Sequence, residues 1–346
     1  RDGVTREPGF DITAASELMA MLCLAEDECD LRARIDRTVL AYAHGGAPIT
    51  AGDLSATGAV LAILRDALLP NLVATTEGVP ALIHGGPFAN IAHGYSSVVA
   101  PKSAIRLADW TITEAGFGFD LGAEKFFDIK CRSAGLDAAV VVLVATIRAL
   151  KLHGGRSLSE LEEPNADAVE RGLTNLEKHV ENVCCFGKTP VVAINRFATD
   201  SDDEISVVRR RCEELGLPFA VSDHYVHGGA GAIELAQTVM DAAGAPGGAF
   251  RPLYQLNDSI PEKVQAVASK MYGAREVSYT RVAVRDLQEI GRRGYWALPA
   301  CIAKTPSSLS DDPKLRGRPK GFEITVQDVQ LNSGAGFVVV LTGDII

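Results

Sequence analysis

The stretch TEAGFGFDLGAEKFFDIKCR, residues 113–132, brings glycine, aromatic rings and both signs of charge into one short segment. Gly116, Gly118 and Gly122 are flanked by carboxylates, and the segment closes on Lys125, Lys130 and Arg132. Glycine-spaced backbone directly after an apolar run can approach a ligand closely and aim N–H groups at an anion. The three cations could neutralise a phosphate, with Asp120 and Glu124 as their ion-pair partners. Exposed ion pairing alone is the simpler alternative for all five, and a loop that merely ends a strand is the simpler alternative for the glycines. Asn195 closes the apolar run VVAIN, where an amide's paired donor and acceptor can read a purine edge. His84 and His93 stand nine apart in HGGPFANIAH; a zinc site needs more ligands nearby, so they read as structural or hydrogen-bonding groups. No G-x-x-x-x-G-K-[ST] loop, no G-x-G-x-x-G opening a helix after a strand and no H-E-x-x-H occurs. The residues therefore point to an α/β protein that uses an anion or nucleotide without the usual phosphate loop.

The elements that must position these groups are legible as alternating patterns. VPALIHGG (79–86), ADWTITEAG (108–116), AAVVVLVAT (138–146), TPVVAINRF (189–197), LPFAVSDHY (217–225) and ALPACIAKT (297–305) read as strands. Each is a short, continuous apolar run, which suits strands buried on both faces of a parallel sheet. Between them, DDEISVVRRRCEELG (202–216) has apolar residues at spacings of three and four, starts acidic and stops at glycine, as helices do. SIPEKVQAVASKMYGA (259–274) reads as another helix, with proline in its first turn. FEITVQDVQLNSGAGFVVVLTGD (322–344) reads as a hairpin, and AGAPGGAFRP (243–252) as the clearest linker. Marked loops follow five of the predicted strands, four of them rich in glycine or serine and the fifth NRFATD, where α/β folds bind ligands.

The 346 residues suit two or three domains, with 47% apolar and 23% charged residues. A net charge of -10 excludes a general binder of phosphate backbones, so no nucleic-acid partner is expected. The seven cysteines form no C-x-x-C pair and lie mostly in apolar segments, as reduced thiols of a cytoplasmic protein would. No apolar run is long enough to span a membrane. The start lacks a methionine and the end is strand-like, so both are read as cut.

Several long segments resemble one family. REPGFDITAASELMAMLCLA (6–25), PALIHGGPFANIAHG (80–94), TEAGFGFDLGAEKFFDIKCR (113–132), ATIRALKLHGG (145–155), GLTNLEKHVENV (172–183), VVAINRFATD (191–200) and SLSDDPKLRGRPKGFEITVQDV (308–329) are similar to formate–tetrahydrofolate ligases over essentially the whole chain. The resemblance implies a P-loop NTPase-like parallel-sheet domain with additional α/β domains and a C-terminal hairpin. It divides the chain into 1–44, the remainder of a small domain; 45–177, the remainder of the nucleotide-binding domain; and 178–346, a domain contributing folate and adenine contacts. It also implies an upstream phosphate-loop segment and a short C-terminal tail, both outside this chain.

The implied reaction joins formate to tetrahydrofolate at the expense of ATP, through formyl phosphate. Gly116, Phe117 and Gly118 would hold that intermediate, with Lys125 neutralising it. Phe197 would form one wall of the pterin site. Ala198 follows it where the family commonly has proline, and Tyr225 stands where a second wall is tryptophan, with smaller stacking area. Asn195, Leu309 and Ser310 would contact adenine; a turn is the plainer role for Ser310. Mg2+, a monovalent cation such as K+ or NH4+ and a homotetramer complete the implied picture. The alternative is a fragment or pseudoenzyme that binds folate or nucleotide without turnover. With no phosphate-loop lysine among the 346 residues, this chain alone is expected to show low or absent catalysis. A folate dehydrogenase is excluded by the missing dinucleotide fingerprint.

Overall fold

The computed structural model describes residues 12–343 apart from Tyr95 and Pro246. Eleven strands are found among the described residues. Two pairs form small antiparallel ribbons: β1 (Val39–Tyr42) with β2 (Pro48–Thr50), and β3 (Asn71–Ala74) with β4 (Pro80–Ile83). The run 79–86 is therefore a strand, but it belongs to an exposed hairpin and not to a parallel sheet.

The strands β5 (Val141–Ala145), β6 (Pro190–Asn195) and β7 (Phe219–Ser222) form a parallel sheet in that order. β6 lies in the middle, and its residues Val191 to Ile194 are all buried, which accounts for its unbroken apolar sequence. Helices Ile147–His153 and Ala166–Cys185 lead from β5 to β6, and Asp202–Glu214 leads from β6 to β7. The last of these starts as the acidic residues predict. Ser201 accepts from the Glu204 N–H, and Glu204 accepts in return from the Ser201 N–H.

A four-stranded sheet has the order β8 (Glu276–Tyr279), β10 (Glu323–Asn332), β11 (Phe337–Thr342), β9 (Ala300–Ala303). The β10–β11 hairpin forms its middle, and β8 and β9 add to its two sides in parallel. The hairpin's turn is gripped from the other end of the sequence. The Glu17 carboxylate accepts from Gly334 N at 2.6 Å, Arg34 donates to Ala335 O at 2.9 Å, and Arg37 donates to Gly334 O at 2.8 Å.

The segment 113–132 departs most from its expected form. No strand covers 108–116 among the described residues: the chain is extended there, with Trp110 and Ile112 exposed. From Gly118 the chain winds into a helix with two π-type segments, Gly118–Ala123 and Phe126–Cys131, ending through Arg132–Ala134 at Gly135. Every residue from Phe119 to Cys131 is buried. Phe119, Phe126 and Phe127 join one apolar cluster and Ile129 another, so this helix ties two cores together. Phe127 stacks on Phe186 with ring centres 4.8 Å apart. The charges that read as a solvated loop are thus inside the protein.

Candidate functional site

Asn195 is the last residue of β6, half-buried and in register with Ser222 of β7. The chain then turns. The Phe197 N–H donates to Asp200 Oδ2 at 2.8 Å, leaving the ring 37% exposed and Ala198 exposed beside it. Sequence reasoning missed what lies against that ring. Arg148, from the helix that follows β5, places its guanidinium 4.7 Å from the Phe197 ring centre, a cation–π contact. It also donates to Thr199 Oγ1 at 3.3 Å. Only their position at the ends of neighbouring parallel strands brings Arg148 and Phe197 together.

Beyond β7, Tyr225 sits in the short helix His224–His227 and is 90% exposed. The glycine-rich turn Gly228–Ala232 follows. There the Gly229 N–H donates to Glu77 Oε1, from the turn of the β3–β4 hairpin, at 2.7 Å. A surface cavity of about 400 Å³ opens beside these strand ends, lined by Arg196, Asp202, Arg209, Asp223 and Gly231 among others.

The glycine loop has the backbone its sequence anticipates. Gly116 and Gly118 have φ of 95° and 68°, in the left-handed region, with Phe117 between them 52% exposed. Gly122 has a different reason. A Cβ there would lie 2.0 Å from the Ala115 carbonyl oxygen and 3.0 Å from Gly116 Cα, so only glycine lets the helix press against the loop. Lys125 is fully buried, and its Nζ donates one turn back to Leu121 O at 2.7 Å.

The ion pairs differ from the expected ones. Asp120 pairs with Lys304 at 2.7 Å and Asp128 with Arg132 at 3.1 Å. Burial alone would raise the Asp120 carboxyl; Lys304, with His179 and Lys125 also near, outweighs it and holds the pKa below the ordinary value. Burial pushes Asp128 up to about 7 against the pull of Arg132, and raises Glu124, one turn before it, well above the usual carboxylate range. Burial also lowers Lys130 to about 8; its ammonium lies 5.5 Å from the Phe126 ring centre.

Lys304, which sequence reasoning overlooked, stands just past β9 and opens the loop that holds Leu309 and Ser310. Asn90 reaches it from the 84–94 loop, donating to Lys304 O at 2.9 Å and accepting from Lys304 N at 3.2 Å. Leu309 and Ser310 are both buried. The Ser310 hydroxyl donates to Asp312 O and accepts from Asp312 N, each at 3.1 Å, so it builds the turn. His84 is likewise held structurally, between Ser97 Oγ at 2.6 Å and Ala67 O at 2.8 Å. His93 is buried with neither ring nitrogen hydrogen-bonded.

The candidate residues thus fall into two groups. Asn195, Phe197, Ala198 and Tyr225 crown β6 and β7. Gly116–Gly118 and the Leu309–Ser310 turn are joined through Asp120 and Lys304. The helix Ala166–Cys185 packs on both β5–β6 and the segment from Gly118. This is an α/β protein whose candidate ligand face lies at the carboxyl ends of its parallel strands, the position such sheets use. The profile of formate–tetrahydrofolate ligase matches residues 1–346, and the chain belongs to that family. The family consists of ligases of one-carbon metabolism that use formate, ATP and tetrahydrofolate. No helix among the described residues is long and apolar enough to cross a membrane.

Proposed function

We propose that the chain contributes the folate, adenine and formyl-transfer surfaces of an ATP-dependent reaction that proceeds through formyl phosphate. A formate oxygen attacks the γ-phosphorus and ADP leaves. N10 of tetrahydrofolate then attacks the formyl carbon, phosphate leaves and N10 loses its proton. Positioning and electrostatics carry both steps. The match to the ligase family over 346 residues carries the reading.

In it, N–H groups around Gly116, Phe117 and Gly118 hold the formyl phosphate, and Phe117 shields it from water. Lys125 acts at ionic range, its ammonium being anchored on Leu121 O. Phe197, backed by Arg148, stacks on the pterin, with Ala198 beside it and Tyr225 as the second wall. Asn195 reads the adenine edge. Leu309 and Ser310 are assigned to the adenine side; both are buried as whole residues, and the Ser310 N–H is already held by Ser308 Oγ at 2.9 Å, so the turn must open for either to touch the base. No three His, Cys, Asp or Glu side chains cluster among the described residues to cage a metal. Mg2+ therefore belongs with the substrate phosphates, which hold it in many such enzymes, and neither it nor a monovalent cation is assigned a residue. Self-association into a homotetramer and the division at 44 and 177 are part of the same reading.

Binding without turnover is the second reading, favoured by the missing phosphate-loop motif within these 346 residues. Calorimetric binding of tetrahydrofolate and of a non-hydrolysable ATP analogue, alongside an assay for 10-formyltetrahydrofolate, separates the two. Binding with product formation supports the ligase, and binding alone supports the second reading. Binding of neither ligand would remove both. Phe197→Ala should weaken tetrahydrofolate binding by about 1–3 kcal/mol, as loss of one stacking platform does, with the ATP analogue spared.

A further inference from the structure

We infer that Lys304 and Asp120 are a positioning pair that couples the loop from Thr305 to Asp312 to the Gly116–Gly118 loop, so that a ligand ordering one loop orders the other. The coupling stands on geometry; its consequence for catalysis rests on the functional reading above.

Lys304 is fully buried, and its Nζ has three acceptors. These are Asp120 Oδ2 at 2.7 Å, Thr305 O at 3.2 Å and Ser308 O. An ammonium has three donors, so its capacity is filled. Two acceptors belong to the 305–312 loop and the third to the helix that starts at Gly118. The Asp120 carboxylate faces both ways. Oδ2 takes the lysine, while Oδ1 lies against Gly118, where an added Cβ would come within 2.9 Å of it. A path of contacts therefore runs from the Ser308 carbonyl through Nζ to the Asp120 carboxylate, two residues along the chain from Gly118, and that carboxylate fills the space a side chain at Gly118 would need.

The chemistry chosen at this point is informative. An apolar residue could fill the space of Lys304, but it could not hold two carbonyls and a carboxylate at once. Buried ion pairs commonly add little stability over well-packed apolar replacements and are better understood as devices of register. Here the register is between two loops that come from distant parts of the sequence.

Amide hydrogen exchange on the 346-residue chain tests this, with Lys304→Met, Lys304→Arg and Asp120→Asn, each with and without a non-hydrolysable ATP analogue. The decisive signal is reciprocal. Lys304→Met should speed exchange about tenfold or more at the buried residues 119–124 that follow the Gly116–Gly118 loop, and Asp120→Asn should do the same at 305–310, while β5, β6 and β7 keep their protection. Lys304→Arg, which retains charge and donors, should recover much of the loss. Changes confined to the mutated segment, or a uniform rise throughout the molecule, would overturn the coupling. If Lys304→Met does not fold, the Asp120→Asn and Lys304→Arg comparison carries the same decision. The analogue arm separates this inference from the functional reading. Failure of the analogue to protect 305–312, with the reciprocal effect intact, removes the nucleotide assignment and leaves the coupling. Protection at 305–312 that never extends to 119–124 removes the coupling.

Discussion

Replacing Asp128 by asparagine should change how the stability of this protein depends on pH. Asp128 Oδ1 accepts from Leu253 N and from Arg132, each at 3.1 Å. Its Oδ2 and both carboxylate oxygens of Glu124 are buried with no N–H or hydroxyl donor. A proton held between the two carboxyls joins Asp128 Oδ2 to one Glu124 oxygen, and burial lifts Asp128 to about 7. The sign follows from proton counting. Between about pH 4 and pH 7 the folded chain keeps a proton that the unfolded chain has released. Stability therefore falls as pH rises across that window and levels off above it. A raised pKa of this size corresponds to about 4 kcal/mol over the whole window, at up to about 1.4 kcal/mol per pH unit. Asparagine keeps an oxygen for Leu253 and Arg132 and gives Glu124 an N–H donor; it removes the Asp128 titration and leaves that of Glu124, raised mainly by burial, common to both proteins. Urea unfolding of both proteins at pH 5, 6 and 7 should show the wild type losing about 2–3 kcal/mol relative to the variant. A constant difference would mean that Asp128 binds no extra proton when folded. A wild type that gains on the variant with rising pH would mean that Arg132 outweighs burial.

Three further substitutions probe other parts of the structure. Gly122→Ala forces a methyl into the Ala115 carbonyl, and calorimetry should record a loss of about 2–3 kcal/mol, with the 115–118 loop displaced. Lys151→Met removes the cation that meets the buried Glu204 carboxylate, at 2.9 Å, and leaves it the Asn165 N–H and the Ser201 N–H and hydroxyl. With those donors kept, the loss should be about 1–3 kcal/mol in denaturant titrations, and Glu204→Gln in the same chain should not recover it, because both carboxylate oxygens already accept from N–H or hydroxyl groups and an amide has only one acceptor. Tyr225→Trp, at an exposed position, should leave the melting temperature unchanged while tightening tetrahydrofolate binding by about 0.5–1 kcal/mol in calorimetry, through the larger stacking surface.

The parallel strands and the caps of the helices between them are readable because their causes are local. A strand covered on both faces is apolar throughout, as β6 is, and Ser201 with Glu204 announces a helix start three residues apart. The run 108–116 has similar composition but no neighbouring strand to bond with, and adjacency is not written in composition. The run 79–86 fails in a related way: its pattern does not say that its partner would be β3, antiparallel and exposed. At the candidate site, the strand-end positions of Asn195 and Phe197 were legible. Arg148 and Lys304 were not, because each acquires its role from a residue that only the folded chain brings near. The charges of residues 120–132 look like surface because burying so many is costly; their partners across the core make it tolerable.

The grip of Glu17, Arg34 and Arg37 on the turn between β10 and β11 also bears on how the protein is made. Arg34 and Ala335 are 301 residues apart. At ordinary ribosomal speeds of roughly 5–20 residues per second, the helices around Met21 and Leu31 leave the exit tunnel roughly 15–60 seconds before that turn exists. For that interval their apolar faces lack Phe337 and Val339, with which they share a core. The early part of the chain is therefore a nascent segment waiting for a late one, and chaperone occupancy during translation should concentrate there.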